Sequence, residues 1–317
     1  MNSSNAAEPG HTLRGVERLI AHVRSMTPLR MAVVHPCSVP SLQGALAARD
    51  AGMITPVFVA PRSRLERIAA EARVSLDGCE IVDVPHSHAA ASAAAGMAGR
   101  HEVDALMKGS LHSDELLAAV LDPVAGLRTE RRISHCFVME TPAYPRPFII
   151  TDAAINIAPT LDAKADIVRN AIELAHAIGV AEPKVALLAA VETINPRMPS
   201  TLDAAALCKM ADRGQITGGV LDGPLAFDNA VSPEAAAVKG IRSRVAGHAD
   251  VLVVPNLESG NMLAKQLEYL GHADSAGIVM GAHVPIVLTS RADSPRSRLA
   301  SCAIAMMIVH RPVVTTA

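Results

Sequence analysis

Apolar positions along the chain fall into short runs separated by longer amphipathic stretches. Residues 30–34, 54–60, 80–84 and 105–107 are short, largely apolar runs that predict strands. Between them, residues 43–50, 64–71 and the alanine-rich 88–99 predict helices. A further helix is predicted over 12–26, with Leu13, Val16, Leu19, Ile20 and Val23 on one face. Strand followed by helix, at about 25-residue spacing, predicts a parallel sheet with crossover helices. The polar residues 1–11 are expected to be disordered.

The second half repeats the alternation. Residues 134–140 and 147–154 predict a pair of strands. Thr141-Pro142-Ala143-Tyr144-Pro145-Arg146 separates them, and its prolines stop any helix. This stretch is the expected domain crossover. A long helix over 162–178 follows, with Ile167, Ala171, Leu174 and Ile178 on its apolar face. Then come a strand at 184–191, a helix at 202–212, a strand at 217–221 and a helix at 233–239, forming a second parallel α/β unit. Pro255 ends a buried strand at 251–254. A polar loop at 256–261 and a helix at 262–270 follow it. A second buried strand at 284–288 opens directly onto Thr289-Ser290-Arg291-Ala292-Asp293-Ser294-Pro295, and the apolar 301–309 reads as a buried C-terminal helix. Open α/β sheets place ligands where strand ends meet polar turns and helix starts, and helix starts offer free N–H groups to anions.

Composition narrows the picture. At 317 residues the chain has room for two domains or one large one. Half of its residues are hydrophobic, yet it has only 4 Phe, 2 Tyr and no Trp, so the core must be aliphatic. So few aromatics, with a formal charge of −2, disfavour base stacking and electrostatic attraction to nucleic acid or anionic membranes. The five cysteines are odd in number and never at C-x-x-C spacing, as expected of free thiols in a reducing cytoplasm. The N-terminus has no apolar secretory region, and no apolar run approaches the roughly 20 residues of a membrane helix, so a cytoplasmic location is expected. No G-x-G-x-x-G follows a strand and no P-loop occurs, which disfavours a dinucleotide fold or a P-loop kinase. His86 and His88 form an H-x-H without a third ligand at a definite spacing, and no H-E-x-x-H is present, so no metal site is expected.

Four motifs carry a resemblance. They are Met107-Lys108-Gly109-Ser110-Leu111-His112; Ile150-Thr151-Asp152-Ala153-Ala154-Ile155-Asn156-Ile157-Ala158-Pro159; Leu221-Asp222-Gly223-Pro224-Leu225-Ala226-Phe227-Asp228-Asn229-Ala230; and the Leu288–Ser294 turn. In this order they resemble the phosphate acetyltransferases and phosphate butyryltransferases, over most of the chain. The resemblance implies two parallel-sheet α/β/α domains with a cleft between them, similar to isocitrate and isopropylmalate dehydrogenases. It implies that the C-terminal segment returns to the first domain, giving residues 1–146 plus 282–317 as one domain and 147–281 as the other. The activity implied is reversible acyl transfer between coenzyme A and inorganic phosphate. Coenzyme A is then a substrate, no cofactor is tightly bound, a homodimer is expected, and an acyl-phosphate kinase is the usual companion. A non-catalytic acyl-CoA-sensing module is the alternative.

Chemistry assigns the candidate roles. A free thiol has a pKa near ~8.5, so a base or hydrogen-bond donor helps form the thiolate. Phosphate favours the bidentate guanidinium of Arg291. Ser290 would donate to the thiolate or the tetrahedral oxyanion. Asp293 is the candidate base, with a bulk proton acceptor as the other option. Acetyl-specific members carry an aspartate further along, where this chain reads Arg296-Ser297-Arg298, and the turn resembles the butyryl-type branch. They also often carry an arginine after the Gly-x-x-His turn. This chain has none there, and Arg132, in the group Arg128, Arg131 and Arg132, is the candidate substitute. Lys108, Gly109, Ser110 and His112 sit where a backbone turn can approach an anion. The resemblance places Asp152, Asn156, Asp222, Asp228 and Asn229 in the cleft. Asn261 and Lys265 lie one helical turn apart and are expected to meet the phosphates of coenzyme A.

Overall fold

The computed structural model describes residues 15–289 and 293–311. Expectations for residues 1–14, Ser290 and Arg291 lie outside the described residues. The chain runs α1 (Gly15–His22), β1 (Leu29–Val34), α2 (Val39–Asp50), β2 (Ile54–Ala60), α3 (Arg62–Ala72), β3 (Glu80–Asp83), α4 (Ser87–Gly99), β4 (Ala105–Lys108) and α5 (Ser113–Leu121). It continues through β5 (Ser134–Glu140), β6 (Phe148–Thr151), α6 (Leu161–Ala177), β7 (Lys184–Leu188), α7 (Pro199–Asp212), β8 (Val220–Leu225), α8 (Phe227–Val231) and α9 (Pro233–Val238). It closes with β9 (Val251–Val253), α10 (Leu257–Leu270), β10 (Asp274–Met280), β11 (Ile286–Val287) and α11 (Pro295–Val309).

The eleven strands among the described residues join one sheet in the order β3-β2-β1-β4-β11-β10-β5-β6-β9-β7-β8. The strands β3, β2, β1, β4 and β11 are parallel to one another, as are β6, β9, β7 and β8. Between these halves β10 is antiparallel to both β11 and β5, and β5 is antiparallel to β6. The two parallel halves therefore run in opposite directions. The alternation of strands and helices does not indicate this antiparallel centre, and β10 has no counterpart among the strands predicted from the pattern.

Strands buried on both faces divide their side chains between two layers. Met31 and Val33 of β1 pack into one core with Leu42, Leu65, Ile167, Leu207 and Ile304, from α2, α3, α6, α7 and α11. That layer is continuous across the sheet. Ala32 and Val34 face the other side, where the cover is split. Helices α4 and α5 cover β1, β2 and β4 there, through Ala94, Leu116 and their neighbours. The second group, α8 to α10, covers β6, β7 and β9 through Ala230, Ala236 and Ala264. The gap between these two groups lies over the antiparallel centre.

Several helices begin earlier than hydrophobic periodicity indicates. Pro40 and Pro199 stand in the first turns of α2 and α7, where their missing N–H loses nothing. The polar stretch 256–261 is not a loop. Asn256 accepts from the Ser259 N–H at 3.0 Å while the Ser259 hydroxyl reaches back, so α10 starts at Leu257. Gly260 thus lies inside a helix, where a Cβ would come within 2.8 Å of the Asp152 carbonyl. The strand expected at 217–221 is shifted to Val220–Leu225 and contains Pro224, tolerated because β8 is an edge strand.

Candidate functional site

One row of the sheet passes through Met107, Val287, Ile278, Cys136, Thr151 and Val253 on six adjacent strands. Beside this row the chain leaves β4 at Lys108 and β11 at Leu288 in one direction, and β6 at Asp152 in the opposite one. The gap in the helical cover opens here as a cleft of about 460 Å³. Lys108, His112 and Ser113 line it from one side, Asn261, Lys265 and Ala154 from the other, and His135 and Phe137 of β5 form the floor with Leu288 and Thr289.

The β4 side is built by close backbone contact. The Gly109 N–H donates to the Val34 carbonyl at 2.9 Å and the Ser110 N–H to the His35 carbonyl at 2.9 Å. A Cβ on Gly109 would collide with the Val34 carbonyl and stand 2.6 Å from that of His35, so only glycine allows this approach. The Ser110 hydroxyl also donates to the His35 carbonyl, at 2.9 Å. Gly109 and Ser110 thereby tie the turn to β1 and present the buried Lys108 and the exposed His112 to the cleft. His112 caps α5 by its backbone without a side-chain hydrogen bond, leaving the first N–H groups of that helix at the cleft wall.

On the β6 side Asp152 is 2 % exposed, and both carboxylate oxygens are occupied. Oδ1 accepts from the N–H groups of Ala154 at 2.9 Å and Ile155 at 3.1 Å. Oδ2 accepts from the Asn156 N–H at 3.1 Å and its Nδ2 at 2.6 Å. Asn156 Nδ2 donates to the Ile133 carbonyl as well, at 2.9 Å. These two residues shape the loop that carries Ala154 to the cleft. Asn261 Nδ2 donates to the Ala153 carbonyl at 3.2 Å, tying α10 to the same loop. Lys265 reaches the cleft with its ammonium 2.6 Å from Glu268, whose other oxygen accepts from Ser275 at 2.9 Å.

The floor contains a histidine that sequence reasoning did not select. His135 is fully buried, and neither ring nitrogen has a hydrogen-bond partner. Burial pushes its pKa down to about 4; Asp152 and the Leu288 carbonyl oppose that shift and Lys265 adds to it. Its ring meets Phe137 edge-on at 4.4 Å. Alternation along β5 puts His135 and Phe137 on one face, and that was the available signal.

The turn after β11 begins at the cleft, where Leu288 and Thr289 line it. Ser290 and Arg291 follow and lie outside the described residues. Asp293 is half-buried. Ser294, not Asp293, caps α11 by accepting from the Ser297 N–H at 3.0 Å. Arg298, a second residue that sequence reasoning passed over, is buried beneath the turn and donates to the Thr289 hydroxyl at 3.4 Å. Gly44 leaves room for it, since a Cβ there would stand 2.7 Å from Arg298 Cδ.

Four candidates, Arg132, Asp222, Asp228 and Asn229, are not among the residues that line this cleft. Arg132 has an exposed side chain, and its backbone holds Asp166 and Asn170. Its neighbours Arg128 and Arg131 line a separate groove of about 1130 Å³, where Arg131 pairs with Glu173 at 2.7 Å. Asp222 lies on edge strand β8 and accepts from the Gly223 N–H at 2.8 Å. Asp228 pairs with Lys239 at 3.2 Å, and Asn229 Nδ2 donates to Glu192 at 3.3 Å.

The mixed α/β sheet with a cleft over its antiparallel centre, bounded by two lysines and a helix N-terminus, has the fold seen in phosphotransacylases. The chain matches a branched-chain phosphotransacylase from Enterococcus faecalis at 33 % identity and a TM-score of 0.77, over 89 % of this chain and 99 % of that one. At 14 % identity and a TM-score of 0.54, 4-hydroxythreonine-4-phosphate dehydrogenase from Klebsiella pneumoniae shares the fold alone, over 89 % of this chain and 99 % of that one. The family model described as "Phosphate acetyl/butaryl transferase" matches residues 86–306, more than half of the chain. This chain belongs to that phosphate acetyl/butyryl transferase family. It is 60 % identical to a phosphate acetyltransferase of Rhizobium meliloti, over 93 % of both chains. It is 41 % identical to a phosphate butyryltransferase of Clostridium acetobutylicum, over 93 % of this chain and 98 % of the other. The butyryl-type resemblance of the Leu288–Ser294 turn is thus not matched by whole-chain identity, which is higher to the acetyl-type relative.

Proposed function

We propose that this protein transfers an acyl group reversibly between coenzyme A and inorganic phosphate, with acetyl or a short chain such as butyryl as the group moved. The observation that carries this reading is the strand end Leu288-Thr289 in the cleft floor, with Lys108 on one side and Lys265 on the other, leading in sequence directly into Ser290-Arg291. In the proposed reaction the coenzyme A thiolate attacks the carbonyl carbon of the acyl phosphate. The C–S bond forms, the C–O bond to phosphorus breaks, and phosphate leaves with the electron pair. Arg291 holds the phosphate, Ser290 donates to the developing oxyanion, and Asp293 takes the thiol proton. The lysines and the α5 N-terminus supply positive potential for the phosphates of coenzyme A.

Direct attack fits the cysteines. Burial pushes the thiols of Cys136, Cys208 and Cys302 up to about 12, so they hold almost no thiolate at neutral pH. Burial also raises the Cys37 thiol. A covalent acyl-enzyme on any of them would need a base beside it.

The division into residues 1–146 plus 282–317 and residues 147–281 is part of this proposal. Its support is the return of β11 to lie beside β4 and the packing of α11 against α2. A homodimer, a cytoplasmic location and coupling to an acyl-phosphate kinase belong to the same reading. No helix among the described residues is long and apolar enough to cross a membrane.

The test is phosphate-dependent release of coenzyme A from acetyl-, propionyl- and butyryl-CoA assayed side by side. Turnover with one or more supports the reading and ranks the chain lengths. No turnover with any of them overturns it.

A further inference from the structure

The cleft floor has an apolar section that the proposed chemistry leaves unused. Strand register sets Phe137 of β5 between Gly277 of β10 and Ile150 of β6, on the cleft face of the sheet. Ile150 is sealed in the core beneath α8 to α10. Phe137 is half-buried, and its exposed part lines the cleft. Of the four phenylalanines, two are in the core, at Phe58 and Phe148, and Phe227 is exposed; Phe137 alone lines this cleft. In a chain whose core is otherwise almost wholly aliphatic, the one large flat side chain on this floor gives the cleft its shape.

The ring is braced. On one side it packs against the core under α8 to α10. On the other it meets the His135 ring edge-on at 4.4 Å. His135 occupies the space that Gly277 leaves, since a Cβ there would stand 2.9 Å from His135 Nε2. A side chain wedged between packed neighbours cannot swing aside as a free aliphatic one can. Leu288, half-buried and packed against the α4 and α5 side, is the other apolar side chain of the floor. The walls above are polar, with Lys108, His112 and Ser113 on one side and Asn261 and Lys265 on the other.

We infer that Phe137 is the end wall of the acyl pocket, meeting the terminal methyl of the acyl group across from Leu288, and so sets the chain length this protein accepts. The inference rests on reading the cleft as the acyl-transfer site. An acyl-CoA carries phosphates at one end and a hydrocarbon chain at the other, with amides along the arm between them. The phosphates suit the lysines of the walls. The hydrocarbon chain has no hydrogen-bonding atom and gains only by leaving water for apolar surface, which the floor offers at Phe137 and Leu288. Because the ring is braced, each methylene added beyond acetyl must displace it. A hydrophobic pocket discriminates one methylene by about 10–200-fold.

The test compares kcat/KM for acetyl-, propionyl- and butyryl-CoA, at saturating phosphate, in wild type, Phe137→Ala and Phe137→Leu. Wild type is expected to fall from acetyl to butyryl. Phe137→Ala is expected to raise the butyryl-to-acetyl ratio by at least about tenfold, and Phe137→Leu by less. The ratio is unaffected by a loss of folded protein, because all three substrates meet the same enzyme. A ratio within about threefold of wild type in Phe137→Ala overturns the inference. So does an equal change with all three substrates, which would put the ring against the arm of coenzyme A rather than the acyl chain. Wild-type turnover of butyryl-CoA as fast as acetyl-CoA also overturns it. If Phe137→Ala does not fold, Phe137→Leu, which keeps most of the volume, decides by the direction of its ratio. Failure of wild-type turnover with all three would reject the transferase reading. Calorimetric titration of the same three acyl-CoAs into wild type and Phe137→Leu then decides whether the acyl chain meets the ring: a shift in relative affinity toward butyryl-CoA supports the inference, and unchanged relative affinities overturn it.

Discussion

Replacing Asp152 by asparagine, nearly the same shape, is expected to be severe, and the geometry says why. Each carboxylate oxygen accepts two hydrogen bonds: Oδ1 from Ala154 and Ile155, Oδ2 from the backbone and side chain of Asn156. A carboxamide must put its NH₂ in place of one oxygen. Whichever way it is turned, two donors then face a donor. Hydrogen bonds to a charged acceptor contribute about 1.5–3 kcal/mol each, and the two that survive become neutral and weaker. The site is buried, so water cannot replace the lost acceptor. Some relaxation of the loop offsets part of the loss, which leaves an expected destabilisation of about 4 kcal/mol. At about 2 °C per kcal/mol for a chain of this size, the melting temperature should fall by about 8 °C. Ala154 lines the cleft on this loop, so kcat/KM should fall by at least about tenfold through misplacement alone. Calorimetry of Asp152→Asn beside wild type is the assay. A melting temperature within about 2 °C of wild type would refute the claim that these four bonds hold the loop.

Other outcomes follow from the same reasoning. Arg291→Ala should raise KM for phosphate and lower kcat/KM by about 10²–10³-fold, with Arg291→Lys recovering little because the ammonium is not bidentate; wild-type turnover in Arg291→Ala would remove the phosphate role. Gly109→Ala should destabilise by about 3 kcal/mol or more in urea unfolding, since its Cβ meets two backbone carbonyls that cannot rotate away. Stability should also fall with acid. His135 has its pKa lowered to about 4 from 6.5, so between those values the unfolded chain takes up a proton that the native state refuses. The resulting loss of stability is absent above about pH 6.5 and grows as pH falls, to about 3 kcal/mol at pH 4. His35, lowered by burial and by Arg64, adds in the same direction, so His135→Phe should flatten the slope of stability against pH without abolishing it.

The sequence determined the elements and the chemistry of the turns. Val33 and Val34 read as strand because both faces of β1 are buried. The shortness of that run marks a strand without needing to say which neighbour it pairs with. Lys108, Gly109 and His112 were legible because a strand end, a glycine and polar residues together form a local signal. The cap of α10 at Asn256 was equally local, and periodicity missed it only because Gly260 and Asn261 look like a loop.

What the sequence left open is long-range. Nothing local in Asp274–Met280 says that it joins the centre of the sheet antiparallel to both neighbours. That depends on β5 and β11, more than 100 residues apart in the chain before they meet across β10. The same pairing decides where the cleft lies, because the helical cover parts over these strands. It converts Asp152 and Asn156 from candidate ligands into a clamp on the loop, and leaves Asp222 at the sheet edge. It also makes His135, between Ser134 and Cys136 in a strand, part of the cleft floor with no hydrogen-bond partner for its ring. Burial and hydrogen-bond satisfaction depend on everything packed around a group, and no window of sequence contains that.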